Sequence, residues 1–348
     1  MVAVIVRGEE VDHVFRWDLD KTYLHTNFDS VMDLLRTAVE RPERKRTVAG
    51  AAALMREIRG LDRVRITIVS GSPEQLRTSL EAKLRLDGVR WDELVLKPNL
   101  RNILRLRFRA VREQVGYKLP TLLSARSRVQ ASAQETLFGD DAEADALVYS
   151  LYADVLAGRI GEDTLLAVLE KAGAYPDAIS LVRRYAATLE RTNPVRRIFI
   201  HLERKSDPNF FRRYGPRVVP ITNYFQAALV LVADKTIPPS AGLRHAASLV
   251  IEHDFDIPDL VEAARAVVSR GHGSVEALQQ IALAARTVKE PFPLVAHRRE
   301  KLALGLEDCV RSVGPAVPPL AIDYLAAFAD DRARWEEAKQ RARREARK

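Results

Sequence analysis

The chain of 348 residues has a single cysteine, Cys309, so no disulfide can form within it. A disulfide-stapled secreted scaffold is excluded, and a reducing cytoplasm is the expected compartment. Long apolar runs are also missing. The best candidate, Tyr224 to Ala233, is about half the length that crosses a bilayer, so no transmembrane segment is expected. Near the start, Val2 to Val6 is apolar, but Arg7, Glu9, Glu10 and Asp12 follow at once, which does not read as a secretion signal. No G-x-G-x-x-G and no Walker A lysine loop occur, which removes the usual nucleotide signatures. No repeat recurs at a fixed period. The seven histidines do not cluster; His245 and His253 read as ordinary core or surface residues rather than metal ligands.

What is present is the composition of a globular protein, 47% hydrophobic and 29% charged. The length suggests about two domains. The net charge is +8, and much of it sits in Arg332 to Lys348, where eight Lys and Arg face three Glu. That tail reads as a solvated helix end, with peripheral contact to an anionic membrane or nucleic acid as the functional alternative.

Up to about residue 203 the pattern alternates strand and helix. Strands are expected at Val14 to Asp18, Val64 to Val69, Trp91 to Leu96, Glu135 to Phe138 and Val195 to Leu202. Helices are expected at Thr47 to Arg59, from Pro73 to Leu86, Leu119 to Val129, Ala142 to Leu156, Asp163 to Lys171 and Asp177 to Arg191. This rhythm predicts an α/β fold with an open parallel sheet. Residues 217–233 are apolar and fit a last strand or a buried helix. Helical patterns follow at 241–251, 258–270, 274–287, 297–311 and 319–347. The expected division is an α/β domain over 1–215 and a mainly helical domain with a basic tail over 216–348.

Parallel sheets bind ligands beyond the carboxyl ends of their strands. After the first strand come Asp18, Asp20 and Thr22 in D-x-D-x-T. One carboxylate there can attack phosphorus, and the other can pass a proton to the leaving oxygen. After the second come Ser70, Gly71, Ser72 and Pro73, a hydroxyl and backbone amides ahead of a helix. They suit phosphate, or form a plain cap through Ser72. After the fourth come Gly139, Asp140, Asp141 and Asp145, acids that suit a hard divalent cation or simply open a helix. Lys118 precedes them and can neutralise a phosphoryl group; Lys97 is the competing lysine. Each signal alone is ordinary. Their order and their placement at strand ends carry the weight. The segment Phe210 to Tyr214 could touch nucleic acid through Arg212 and Arg213, but a packed loop is the better reading.

The set Asp18/Asp20/Thr22, Ser70, Lys118 and Gly139/Asp140/Asp141/Asp145 resembles the four motifs of the haloacid dehalogenase (HAD) superfamily. The resemblance spans about residues 10–203. Within it, Ser70-Gly71-Ser72-Pro73-Glu74-Gln75-Leu76, Thr47 to Ala51 and Lys118-Leu119 look most like a phosphatidate phosphatase catalytic domain. Lys21 stands where that branch usually has a further acid, and Asp141-Ala142 where it usually has Ser-Gly.

The resemblance implies a HAD-like Rossmannoid sheet and a Mg²⁺-dependent phosphatase. It makes Asp18 the nucleophile and Asp20 the general acid and base. Mg²⁺ would be held by Asp18, the backbone of Asp20 and Asp140, with Asp141 as ligand or support. Ser70, Gly71, Thr22 and Lys118 would hold the phosphoryl group, and Asp145 would orient Lys118 or a metal-bound water. The intervals between Asp18, Ser70 and Lys118 are already filled by predicted elements, so no large cap is expected. An uncapped site favours a bulky phosphorylated substrate: a lipid head group, a protein or a nucleic-acid end, with small molecules also in reach. Two alternatives stand beside this: a non-catalytic binding or scaffold protein on the same fold, and a nucleic-acid end phosphatase that uses the basic tail.

Overall fold

A computed structural model describes residues 10–24, 46–97 and 110–345. Six parallel strands form one sheet: β1 (His13–Trp17), β2 (Val64–Pro73), β3 (Glu93–Lys97), β4 (Gln134–Asp140), β5 (Val195–His201) and β6 (Val218–Ile221). Their order is β3-β2-β1-β4-β5-β6, that of a doubly wound Rossmann-like sheet. The strand order reverses between β1 and β4, which places a crevice at their carboxyl ends.

The central strands are buried on both faces, as parallel strands are, while the edge strand β3 alternates buried and half-buried residues. On one face Phe15, Trp17, Ile66, Ile68, Phe138 and Phe199 pack in one core. That core takes in helices α1 (Ala51–Arg59) and α2 (Arg77–Leu86). It also takes in the later helices α7 (Tyr224–Ala233), α8 (Pro239–Glu252), α9 (Ile257–Ser269), α10 (Val275–Thr287) and α11 (Ala296–Cys309). On the other face Val69, Leu137, Ile198 and Ile200 pack against α3 (Ala110–Arg126), α4 (Asp145–Leu156), α5 (Glu162–Lys171) and α6 (Pro176–Thr188). Helix α12 (Tyr324–Glu345) closes this second face through Tyr324, Ala327 and Phe328. The expected boundary at 215 lies just before β6, which completes the sheet beside β5, and the helices after it share the core of β1.

Several limits differ from expectation for local reasons. β2 runs past Val69 to Pro73, so the serine segment is strand and not loop; a 3₁₀ turn, Glu74–Leu76, then precedes α2. β4 continues through Gly139 and Asp140, which sit opposite Ile200 and His201 of β5. α4 begins at Asp145 rather than Ala142, because Asp140 Oδ1 takes the amides of Ala142 and Glu143 into a turn. α3 carries Pro120 in its interior and starts well before the expected Leu119. Residues 217–233 are both strand and helix, split by Asn223, whose side chain caps α7 by accepting from the amides of Phe225 and Gln226. α12 starts after Pro318 and Pro319, with Asp323 accepting from Leu325 and Ala326.

Between the two strands that flank the crevice, Arg16 and Glu135 form a buried two-bond pair at 2.8 and 2.9 Å. Arg126 and the Tyr152 hydroxyl add bonds to the same carboxylate at 3.1 and 2.7 Å. This fixes β1 against β4 and ties both to α3 and α4.

The basic tail is partly used within the protein. The Arg334 guanidinium lies over Phe210 and donates to Ser206 Oγ at 3.0 Å, and Arg332 pairs with Glu336. Phe211 and Tyr214 are buried and Arg213 pairs with Asp330, so Phe210 to Tyr214 is a packed segment. Residues 346–348 lie outside the described part, as do Val2 to Val6. The interval expected to lack a cap includes 25–45 and 98–109, which lie outside it too. Among the described residues, no helix is long and apolar enough to cross a membrane.

Candidate functional site

β1 and β4 deliver Asp18 and Asp140 side by side at their carboxyl ends. The Asp18 amide donates to the Phe138 carbonyl at 2.9 Å, which holds the two strand ends together. The Thr22 hydroxyl stands between the two carboxylates, 3.3 Å from Asp18 Oδ2 and 3.4 Å from Asp140 Oδ2, able to donate to either. All three side chains are buried.

Lys118 reaches this point from α3. Its ammonium lies 2.6 Å from Asp145 Oδ1, 2.9 Å from Asp18 Oδ1 and 2.9 Å from Glu143 Oε2. It donates hydrogen bonds to Asp145 and Glu143. Its approach to Asp18 is an ion pair without hydrogen-bond alignment, which leaves Asp18 Oδ1 a buried oxygen without a donor. Asp145 is locked from its other oxygen by the Asp140 amide at 3.2 Å. Gly139 makes this approach available: a Cβ there would overlap the Asp145 carboxylate. Lys97 has its ammonium 5.8 Å from the centre of the Tyr117 ring.

Asp20 sits beside this cluster, held by a different pair of groups. The hydroxyls of Ser70 and Ser72 both donate to Asp20 Oδ2, at 2.9 and 2.8 Å, and the Ser72 amide donates to Ser70 Oγ at 2.9 Å. Ser72 therefore orients an acid and does not cap a helix, because the strand continues through it. Gly71 lies between the two serines and is half-buried.

The electrostatics follow from burying three carboxylates, with a half-buried fourth, close to one ammonium. Burial pushes the Asp18 carboxyl well above the usual carboxylate range; Lys118 pulls it down, while Asp145, Glu143 and Asp140 push it further up. Burial and the nearby Glu143 and Asp145 raise Asp140 likewise. Asp145 is raised to about 6, by burial first, with Lys118 opposing. For Lys118, burial opposes the charge, but Asp145, Asp18 and Glu143 outweigh it and hold the ammonium charged.

Asp18, Asp140, Glu143 and Asp145 each present an oxygen within a span of 4.8 Å, a group able to hold a metal ion. An excess of hard carboxylate oxygens over cations, with one oxygen lacking a donor, fits a divalent cation such as Mg²⁺. Asp141, expected as a ligand or support, is outside that group. Its two oxygens accept from the amides of Arg204 and Ser206 at 2.8 and 3.1 Å, so it fastens the loop after β5. Glu143, which the sequence reading does not single out, is the fourth member of that group. The Asp20 side chain is also outside it, committed to the serines.

Two further residues hold the Asp18–Thr22 loop. The Tyr224 hydroxyl, from the start of α7, donates to the Thr22 carbonyl at 2.7 Å. His201 Nδ1 lies 3.3 Å from the Lys21 carbonyl, and its ring stacks on Tyr224. Lys21 itself adopts φ +62°, a left-handed conformation that such supports stabilise. No short motif marks Tyr224 or His201; only their places at the end of β5 and just after β6 point to the crevice. His245, by contrast, is a core residue whose Nε2 bonds the Gly50 carbonyl at 3.0 Å.

Comparison with models of known protein families, with curated proteins and with solved structures finds no match to this chain.

Proposed function

We propose that the protein is a Mg²⁺-dependent phosphomonoester hydrolase of HAD type that works through an aspartyl-phosphate, with phosphatidate or another bulky phosphomonoester as substrate. The observation that carries this reading is the convergence of Asp18, Asp140, Asp145 and Lys118 on one buried point at the switch of the sheet, with Asp20 beside it. The serine-rich string from Ser70 to Leu76 supports the lipid-phosphate branch.

In the first half-reaction a carboxylate oxygen of Asp18 bonds to phosphorus and the bond from phosphorus to the leaving oxygen breaks. Asp20 gives its proton to that oxygen. In the second, Asp20 takes a proton from water, the water oxygen bonds to phosphorus, and the bond to Asp18 breaks, releasing inorganic phosphate. Ser70 and Ser72 orient Asp20 through both steps. Lys118 offsets the charge on the phosphoryl oxygens, and Asp145 holds Lys118 in place. The cation would be held by Asp18 and Asp140 with the backbone of Asp20, and the chemistry it supplies is neutralisation of phosphoryl charge. The test is release of phosphate from p-nitrophenyl phosphate with and without Mg²⁺, wild type beside Asp18→Asn. The reading requires metal-dependent release that the substitution abolishes. A folded wild type that binds the cation and releases no phosphate supports a scaffold instead.

A further inference from the structure

The three carboxylates around Lys118 are not equivalent. Asp145 is fully buried, anchored by the Asp140 amide and seated in the space left by Gly139. Asp18 is at a strand end, buried, with Thr22 against its second oxygen. Glu143 differs on both counts. Its side chain is 21% exposed, and among the described residues Lys118 is the only hydrogen-bond partner of its carboxylate. Its backbone, however, is fixed, because the Glu143 amide donates to Asp140 Oδ1 at 2.9 Å. A fixed backbone with a half-open side chain can swing its carboxylate out to water without disturbing the turn.

Three carboxylate oxygens crowd the ammonium within 2.9 Å, and two of them, on Asp145 and Glu143, accept its hydrogen bonds. A phosphoryl group that takes one of those two hydrogen bonds displaces Asp145 or Glu143, and one that enters on the third side displaces Asp18. Displacing Asp145 unseats a fully buried charge, and displacing Asp18 removes the nucleophile. Displacing Glu143 returns a carboxylate to solvent, the least costly of the three.

We propose that Glu143 is a built-in stand-in for the substrate phosphoryl group, occupying its place on Lys118 and yielding that place when the substrate enters. This deepens the phosphohydrolase reading and rests on it. The exchange also selects by charge. A phosphodiester carries one negative charge and only replaces the one it evicts. A phosphomonoester dianion brings two, and gains on the exchange. Glu143 is thus a specificity residue that sets a threshold for doubly charged phosphoryl groups.

The test is calorimetric binding of inorganic phosphate and of dimethyl phosphate to the full-length protein, as wild type, Glu143→Gln, Glu143→Ala and Lys118→Met, with thermal melts to show that each is folded. Glu143→Gln and Glu143→Ala are expected to bind inorganic phosphate at least about tenfold more tightly than wild type, since a single like charge beside the ligand is removed. Dimethyl phosphate is expected to bind these two variants and not the wild type. Lys118→Met is expected to bind neither. In turnover of p-nitrophenyl phosphate, KM should fall in Glu143→Gln. Equal phosphate affinity in wild type and both Glu143 variants, with hydrolysis intact in wild type, overturns the stand-in and leaves the phosphohydrolase reading standing. Weaker phosphate binding accompanied by weaker Mg²⁺ binding makes Glu143 a metal ligand and also overturns it. No phosphate binding and no hydrolysis by any of the proteins removes both.

Discussion

The Tyr224 hydroxyl donates to the Thr22 carbonyl at 2.7 Å, across 202 positions of sequence. The bond ties the first turn of α7 to the loop that carries Asp18 and Asp20. Tyr224 also stacks near Trp17 of β1 and on His201, so its ring is held on several sides. Tyr224→Phe keeps the ring and removes one buried bond, which costs about 1 kcal/mol of stability. If the bond positions the Asp18–Thr22 loop, phosphate release falls by about tenfold through kcat while KM changes little. Unchanged kcat with the same small loss of stability makes the contact purely structural. Urea unfolding beside steady-state kinetics separates the two.

Lys118 is the cation on which the buried carboxylates depend. Lys118→Met keeps most of the volume and leaves Asp18 and Asp145 without their partner. Removing one member of a buried charge group costs about 3–5 kcal/mol. The prediction is a large drop in unfolding free energy, reduced in Lys118→Met/Asp145→Asn. A single variant as stable as wild type contradicts the electrostatic account of the cluster.

Gly139→Ala tests the packing beneath Asp145. The added methyl meets the Asp145 carboxylate, so the acid must move off Lys118. Overpacking of this kind costs about 1–3 kcal/mol. Activity should fall with stability, because Lys118 loses its closest partner. Full activity in Gly139→Ala shows that Asp145 does not need its observed position.

These tests also mark what the sequence shows and what it hides. Five of the six strands are legible as short apolar runs between helical patterns, β6 is hidden in the continuous apolar run it shares with α7, and Asp18, Asp140 and Lys118 follow from motif order. Asp140 and Asp141 look alike in the string, whereas alternation along the chain sends one into the crevice and the next onto the amides of Arg204 and Ser206. Pro73 makes Ser72 a natural cap candidate in the sequence, while strand pairing carries β2 on to Pro73. Tyr224 and His201 act through contacts far apart in sequence, and no local pattern encodes those.

The buried histidines predict acid sensitivity. His245 is lowered from its ordinary 6.5 to about 4, by burial first. His13 is lowered to about 4 and His272 to about 3, again by burial. Each is neutral in the folded protein and takes up a proton more readily when unfolded. At these three positions the unfolded chain binds more protons between about pH 4 and 6.5, against the opposite effect of the raised Asp18, Asp140 and Asp145 carboxyls. Their contribution is full above 6.5 and is lost as pH falls through that window. For His245 the loss is about 3 kcal/mol. His245→Gln should flatten the fall of unfolding free energy between pH 6.5 and 4 by about that amount. Identical slopes in wild type and variant contradict a buried neutral His245.

The central claim is that Asp18 carries the phosphoryl group in turnover. Acid quenching of the protein during turnover of a ³²P-labelled phosphomonoester, followed by peptide mapping, tests it most directly. The account predicts an acid-stable, hydroxylamine-labile label on the peptide containing Asp18, absent in Asp18→Asn and increased when Asp20→Asn slows the second half-reaction. Hydrolysis that proceeds with no label on Asp18, or with label on another residue, contradicts it.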